Sequence, residues 1–306
     1  MPRIIISGAS GFVGQNLTPF LEKGGWKVIP LSREQNTKNT ITYNALSKND
    51  FDNTRAFIHL AGKAHDLKNT SLDEEYYEVN TELTRILFDL FLESNCKTFI
   101  YFSSVKAVTD KVEGILTEEH PYHPQTVYGK SKALAEQYLL SKELPKDKRL
   151  YILRPCMIHG PNNKGNLNLL YSFVCKGIPY PFGKYHNKRS FVSVENLCFI
   201  INELIDNTEI ESGIYNIADD ASLSTIDLVK VMGNVLSKPL KILNLPKTFV
   251  HLIAKIGDVL PIPINSERLQ KLTENYEVSN DKIKKAIQKE LPLSAKEGIE
   301  KTISSF

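Results

Sequence analysis

Paired cysteines are missing from this chain. Cys96, Cys156, Cys175 and Cys198 lie far apart in apolar surroundings and never form Cys-x-x-Cys. Neither a disulfide framework nor a zinc site is expected of them, and buried thiols in a reducing compartment account for all four. A membrane-length apolar run is missing as well. The most apolar late stretch, 249–264, is broken by Lys255, Asp258, Pro261 and Pro263; it is too short to span a bilayer and reads as a core-facing helix followed by a turn. Charge of one sign is absent too: 38 basic and 35 acidic residues are interleaved and leave a net charge of +3. No tract asks for nucleic acid or an anionic membrane, and no membrane insertion is expected. A strand that opens at Arg3 leaves no room for a charged leader and a cleavage site, so the cytoplasm is the expected compartment. The seven histidines, His59, His65, His120, His123, His159, His186 and His251, show no paired spacing on one helix beside a carboxylate. No metal site is expected.

What is present is ordinary globular composition. With 306 residues, 42% of them hydrophobic and 24% charged, the chain can bury a large core in one big α/β domain or two unequal ones. The most informative stretch comes first: Ile4 to Gly14 reads Ile-Ile-Ile-Ser-Gly-Ala-Ser-Gly-Phe-Val-Gly. A β-branched run stops at glycines 8, 11 and 14, and a helical pattern (Phe12, Val13, Leu17, Phe20, Leu21) follows. Gly8 permits a sharp turn, Gly11 lets a pyrophosphate approach the backbone, and Gly14 lets the helix pack close to the strand. The unpaired N–H groups of the helix start then face an anion, and a dinucleotide is the expected ligand.

Further on, short apolar runs at 26–31, 56–60, 98–102 and 150–153 alternate with longer helical patterns at 72–94 and 129–142. That alternation predicts a doubly wound parallel sheet, a Rossmann arrangement with helices on both faces. Past Arg154 the prolines and glycines multiply, which predicts a smaller, loop-rich substrate domain. The expected division is 1–155 and 156–306, with some segments of the second returning to the first. Ser224-Thr225-Ile226-Asp227 reads as a helix capping box.

Tyr128 and Lys132 stand four apart at a helix start, on one face, so the ammonium can sit near the phenol and favour its ionised form. The run Phe99 to Ser104 looks like a strand ending in two hydroxyls, and the C-terminal end of a parallel strand faces the ligand crevice. Together these make a proton-transfer site. After the second strand the chain reads Leu31-Ser32-Arg33-Glu34. Ser32 and Arg33 suit a 2′-phosphate, whereas a carboxylate at that point takes a free ribose hydroxyl. The reading leans to NADP(H), with NAD the alternative.

Taken together, Gly8 to Gly14, His59-Leu60-Ala61-Gly62, Glu78-Val79-Asn80, Ser103-Ser104, Tyr128-x-x-x-Lys132 and Arg154-Pro155 resemble, in order, the extended short-chain dehydrogenase/reductases of the NAD-dependent epimerase/dehydratase family. Residues 154–167 and 188–197 look like its UDP-glucose 4-epimerase-like and UDP-4-keto-sugar reductase branches, which serve polysaccharide synthesis. The resemblance implies that Tyr128 is the general acid/base, that Lys132 lowers its pKa and holds the nicotinamide ribose, and that Ser104 donates to the sugar oxygen at C4. It implies cofactor contacts along Gly8, Ser10, Gly11, Phe12, Val13 and Gly14, then at Leu60, Ala61, Gly62, Asn80 and Pro155. Arg189 would clamp the diphosphate of a UDP-sugar substrate, with Asn166 and Arg268 as further candidates. A homodimer paired through 73–94 and 129–142 is implied too. Where the dehydratase branch follows the catalytic hydroxyl with Asp-Glu, this chain has Val105-Lys106, which argues against 4,6-dehydration. Two enzymatic readings remain, a 4-ketoreductase, which is preferred, and a 4-epimerase with bound NAD. A non-catalytic cofactor-binding regulator has no need of Ser104, Tyr128 and Lys132 together.

Overall fold

Strands β1 (Arg3–Ser7), β4 (Thr54–His59), β5 (Thr98–Phe102) and β7 (Arg149–Pro155) are enclosed almost throughout, as near-continuous apolar strands must be. The computed structural model describes residues 2–35, 40–64, 72–163, 166–260 and 264–306. With β2 (Lys27–Ser32), β3 (Ile41–Thr42) and β10 (Gly213–Ile217), these strands form a seven-stranded sheet in the order β10-β7-β5-β4-β1-β2-β3. Every pairing is parallel. The order reverses between β1 and β4, and their C-terminal ends, Ser7 and His59, lie side by side at the crevice this creates.

Side chains alternate between the two faces of the sheet. Ile4, Ile6, Ile58, Ile100 and Leu153 join one core with helices α1 (Phe12–Lys23) and α6 (Val194–Asp206). Ile5, Phe57, Phe99, Tyr101 and Ile152 join the other with α3 (Leu83–Glu93) and α4 (Val127–Ser141). The predicted fold class therefore holds. The predicted helix over 72–94 is broken: α2 (Asp73–Tyr77) and α3 are separated by a π-helical turn at 78–82 that carries Asn80 inward. Such an extra residue per turn re-aims a side chain without ending the helix.

The chain past 155 supplies β10 and α6 to the main sheet, with α10 (Asp281–Ile287) packed beside them. It also forms a separate core from α5 (Asn166–Cys175), α7 (Thr225–Val235), α8 (Lys247–Gly257), α9 (Ser266–Thr273) and α11 (Ala295–Ser304). One small pair joins the two parts, β6 (Ile115–Leu116) with β11 (Glu277–Val278), and a second, β8 (Met157–His159) with β9 (Phe191–Ser193), lies wholly past residue 155. The capping box read at Ser224 starts α7 as expected. The core-facing helix and turn expected at 249–264 are present as α8 and the turn at 258–260, with residues 261–263 outside the described residues; α8 buries Val250 and Ala254 and leaves Phe249, Leu252 and Ile256 exposed. Its partner core offers a seat on one side only.

Candidate active site

The crevice begins where β1 ends. Gly8 has φ +74°, and a Cβ there would lie 2.6 Å from the Ala61 backbone nitrogen. A Cβ on Gly14 would lie 2.5 Å from the Ala9 Cα, so both glycines are demanded by close backbone approach. Gly11 is the N-cap of α1 and brings no side chain to its N–H groups. Phe12, Val13 and Leu60 are half-buried and pack against the sheet core, while Ser10 is exposed at the turn.

The second loop is held by buried polar groups. Ser7 Oγ lies 2.6 Å from His59 Nδ1 and accepts from the Ala61 N–H at 3.3 Å, and His59 Nε2 lies 2.9 Å from Thr84 Oγ1. Burial, reinforced by the Lys132 charge, pulls His59 down to about 3, so it is a neutral strut. Asn80, fully enclosed, accepts from the Lys63 N–H at 2.8 Å and donates to Lys63 O and Ser131 Oγ, each at 2.9 Å. Its amide is thereby committed to locking the 61–63 loop onto α4. A Cβ on Gly62 would lie 3.1 Å from Lys132 Nζ, which shows how tightly the loop closes on that lysine.

Ser104, Tyr128 and Lys132 come together on this rim. Ser104 follows β5 and caps a short helical turn, Val105–Ala107, accepting from the Lys106 N–H at 3.2 Å. Thr126 caps α4 and so fixes Tyr128 in its first turn. The Ser104 and Tyr128 side chains share a hydrogen bond. Gly129 allows this, because a Cβ there would collide with the Lys106 carbonyl oxygen. Lys132, 3% exposed, donates to Phe102 O at 2.6 Å and lies 4.8 Å from the Tyr101 ring centroid. Burial pulls it down to about 7, with Glu136 pulling the other way. The Tyr128 phenol stands above its ordinary value because burial outweighs the Ser104 bond. The expected lowering by Lys132 is not what the chain shows, since the ammonium is engaged by the Phe102 carbonyl and the Tyr101 ring.

Beneath the trio lies a buried network that sequence reasoning missed. Glu136, fully enclosed one turn beyond Lys132, accepts from Ser103 Oγ, from Tyr122 Oη at 2.7 Å and from Arg154 Nε at 3.0 Å. Arg154 also donates to Tyr122 Oη at 2.7 Å. The signal was present in the sequence: an arginine inside an apolar strand needs a buried acid, and 136 continues the 128/132 face.

On the substrate side, Arg189 donates to Lys271 O and lies 3.7 Å from Glu274; burial draws its pKa below the usual range. Lys106, unexpectedly, is a close neighbour: it feels the Arg189 charge, donates to Asp110 O at 3.0 Å and stands 4.4 Å from the Tyr276 ring centroid. Pro155 ends β7, buried beside Ile217 of β10. Arg268 sits exposed in the first turn of α9, while Asn166 opens α5 with its side chain outside the described residues. Ser32 ends β2 and Arg33 follows it, exposed, close enough to act on the Tyr43 hydroxyl.

Residues 4–218 match the NAD dependent epimerase/dehydratase family. This chain belongs to that family. Across its whole length it is 29% identical to a UDP-glucose 4-epimerase of Vibrio cholerae, covering 96% of that protein. Over 92% of its length it is 29% identical to the N-acetyl-α-D-glucosaminyl-diphospho-ditrans,octacis-undecaprenol 4-epimerase of Escherichia coli O157:H7, covering 84% of it. The crystal structure of UDP-N-acetylglucosamine 4-epimerase from Bacillus cereus shares the fold, with a TM-score of 0.75 at 18% identity over 99% of this chain and 97% of that one. An enzyme of this family uses a nicotinamide cofactor, and the residues present fit one. Glycines stand where a Cβ would fill the cradle, the α1 N-terminus opens into it, and a buried lysine borders it.

Proposed function

We propose that this enzyme works at C4 of a hexose carried on a diphosphate, a UDP-hexose or UDP-N-acetylhexosamine, and that its first activity is reduction of a 4-keto sugar. The observation that carries the proposal is the Ser104–Tyr128 hydrogen bond with buried Lys132 one turn behind it on the crevice rim. A bound nicotinamide supplies the hydride. Tyr128 gives the proton to the C4 oxygen, and Ser104 donates a hydrogen bond to the same oxygen, as charge develops there. Burial keeps Tyr128 a phenol at neutral pH, the state that donates when a carbonyl becomes a hydroxyl. Lys132 holds the cofactor ribose, and Arg189, a planar cation, takes the diphosphate.

The cofactor reading follows from the end of β2. Ser32 is its last residue, Arg33 comes next in the open, and Glu34 lies two positions past the strand with its N–H on Ser32 Oγ at 3.4 Å. An exposed guanidinium and a hydroxyl at that point suit a 2′-phosphate, which favours NADPH and hence net reduction. A 4-epimerase with resident NAD is the second reading, favoured by the two relatives at 29% identity, both 4-epimerases. In either case residues 1–155 serve the cofactor and 156–306 the substrate, with segments of the latter returning to the sheet.

Deuterium tracing separates these. With NADPH labelled in the transferred position, deuterium appearing at C4 of the sugar supports reduction. Interconversion of UDP-hexoses at C4 with no deuterium taken up supports epimerisation. A chain that does neither sinks the proposal. Arg33→Ala should weaken NADPH binding while leaving NADH binding near its starting value.

A further inference from the structure

On α8 and the turn after it, Phe249, Leu252, Ile256, Val259 and Leu260 are 50%, 57%, 45%, 84% and 54% exposed. Their spacing of three, four, three and one places them on one side of the helix, opposite Val250 and Ala254, which are buried in the C-terminal core. The turn is part of the same body, since the Val259 and Leu260 N–H groups both bond to Ile256 O. Scattered single apolar residues on a surface need no explanation, but three along one helix continued by two in its closing turn do.

What flanks the start of the stripe is basic, and the one carboxylate within its span, Asp258 at the α8 C-cap, accepts from the Ser266 N–H and Oγ. Residues 228–257 contain Lys230, Lys238, Lys241, Lys247 and Lys255 and no acidic residue. The stretch 148–194 likewise contains no aspartate or glutamate. The fold brings these two stretches together: a cleft beside the first turn of α8 is bordered by Lys184, His186 and Lys247. A second cleft sharing His186 is bordered by Lys188 and Lys230. The one carboxylate lining them, Asp227, is committed to capping α7. Two acid-free stretches are thus brought together by the fold into a basic rim beside the start of the apolar stripe.

We infer that α8 and its lysine rim form a docking face for an anionic phospholipid surface, on which the stripe enters the headgroup boundary while the lysines meet lipid phosphates. An interfacial helix combines these two features, apolar contact along one side and basic charge flanking it. A protein partner would need an apolar groove edged by acids matched to this one helix, whereas an anionic bilayer offers both everywhere. The inference stands independently of which sugar is turned over.

Flotation of the full chain with vesicles tests it. Vesicles of phosphatidylglycerol and phosphatidylcholine in equal parts should carry the protein upward, and phosphatidylcholine alone should carry about ten-fold less. Leu252→Glu with Ile256→Glu should cut flotation by roughly ten-fold or more without moving the thermal unfolding midpoint. Lys241→Gln with Lys247→Gln should weaken binding about five-fold per lysine, and added salt should do the same. Wild-type protein that stays at the bottom of the gradient overturns the inference, as does undiminished flotation of the double-glutamate variant. A solution mass that falls in the double-glutamate variant, with no flotation of wild type, would put a second copy of the chain on this face instead and equally overturn it.

Discussion

His59 and Lys132 are both bases that burial holds below their ordinary pKa, to about 3 and about 7. The sign is the same for both: where the unfolded chain binds the proton and the folded chain does not, stability rises with pH. For His59 the window runs from the ordinary 6.5 down to about 3, so stability falls as the solution is acidified through that range. Urea unfolding at a series of pH values should show a slope of up to ~1.4 kcal/mol per pH unit from this group, and His59→Gln should flatten it. For Lys132 the window lies between about 7 and the ordinary 10.5, and stability rises across it. The Glu136–Arg154 pair gives a second prediction. Arg154→Met leaves a carboxylate enclosed without its cation and should cost about 3–5 kcal/mol in urea unfolding, whereas Glu136→Gln combined with Arg154→Met should restore much of it. At this scale the sequence made the 104/128/132 trio legible, because four-residue helical spacing and a strand ending in hydroxyls are local signals. Glu136 continues the 128/132 spacing, so its place on that helix face was legible and only its partner on β7 was not; Lys106 meeting Arg189 depends on chain segments brought together by the fold, and no spacing announces it.

Close backbone approach governs the elements around the site. At Gly129 a side chain would push the start of α4 away from the 105–107 turn, and with it Tyr128 from Ser104. Gly129→Ala should therefore lower kcat by roughly 10²-fold, the cost of a misplaced reacting group, while cofactor binding holds near its starting value. Paired kcat and cofactor Kd measurements check this. The strands were the most legible elements: 98–102 forms as read, and 149–155 and 27–32 differ by a residue or two from the apolar runs seen. Two helices were legible only in part. The π-helical turn at 78–82 arises from tertiary bonds, Asn80 to Ser131 and Thr81 to Ser131 O, that helical periodicity does not encode. The apolar residues of α8 show the helical period whether they face a core or not, so burial could not be read from them.

Across the whole molecule, the alternation of short apolar runs with helical patterns was enough for the doubly wound sheet. The return of β10 beside β7 was less visible, because a strand's place in a sheet depends on which edge is open rather than on its own sequence. Assembly is a prediction at this scale. Ile86 on α3 and Leu134 on α4, 58% and 45% exposed, lie in the two segments through which the resemblance implies pairing. The chain should sediment as a dimer of its 34.6 kDa unit, and Ile86→Asp with Leu134→Asp should return it to the monomer mass. The central claim, proton transfer by Tyr128 during hydride exchange at C4, is tested most directly by turnover. Wild type and Tyr128→Phe are assayed with NADPH and a UDP-4-keto-6-deoxy-N-acetylhexosamine, alongside a panel of UDP-hexoses, with cofactor binding measured on both proteins. Turnover by wild type that falls about 10²–10⁴-fold in Tyr128→Phe, with cofactor binding kept, is the predicted result. Full cofactor binding without turnover of any 4-keto or 4-hydroxy sugar, or a Tyr128→Phe enzyme within a few-fold of wild type, would contradict it.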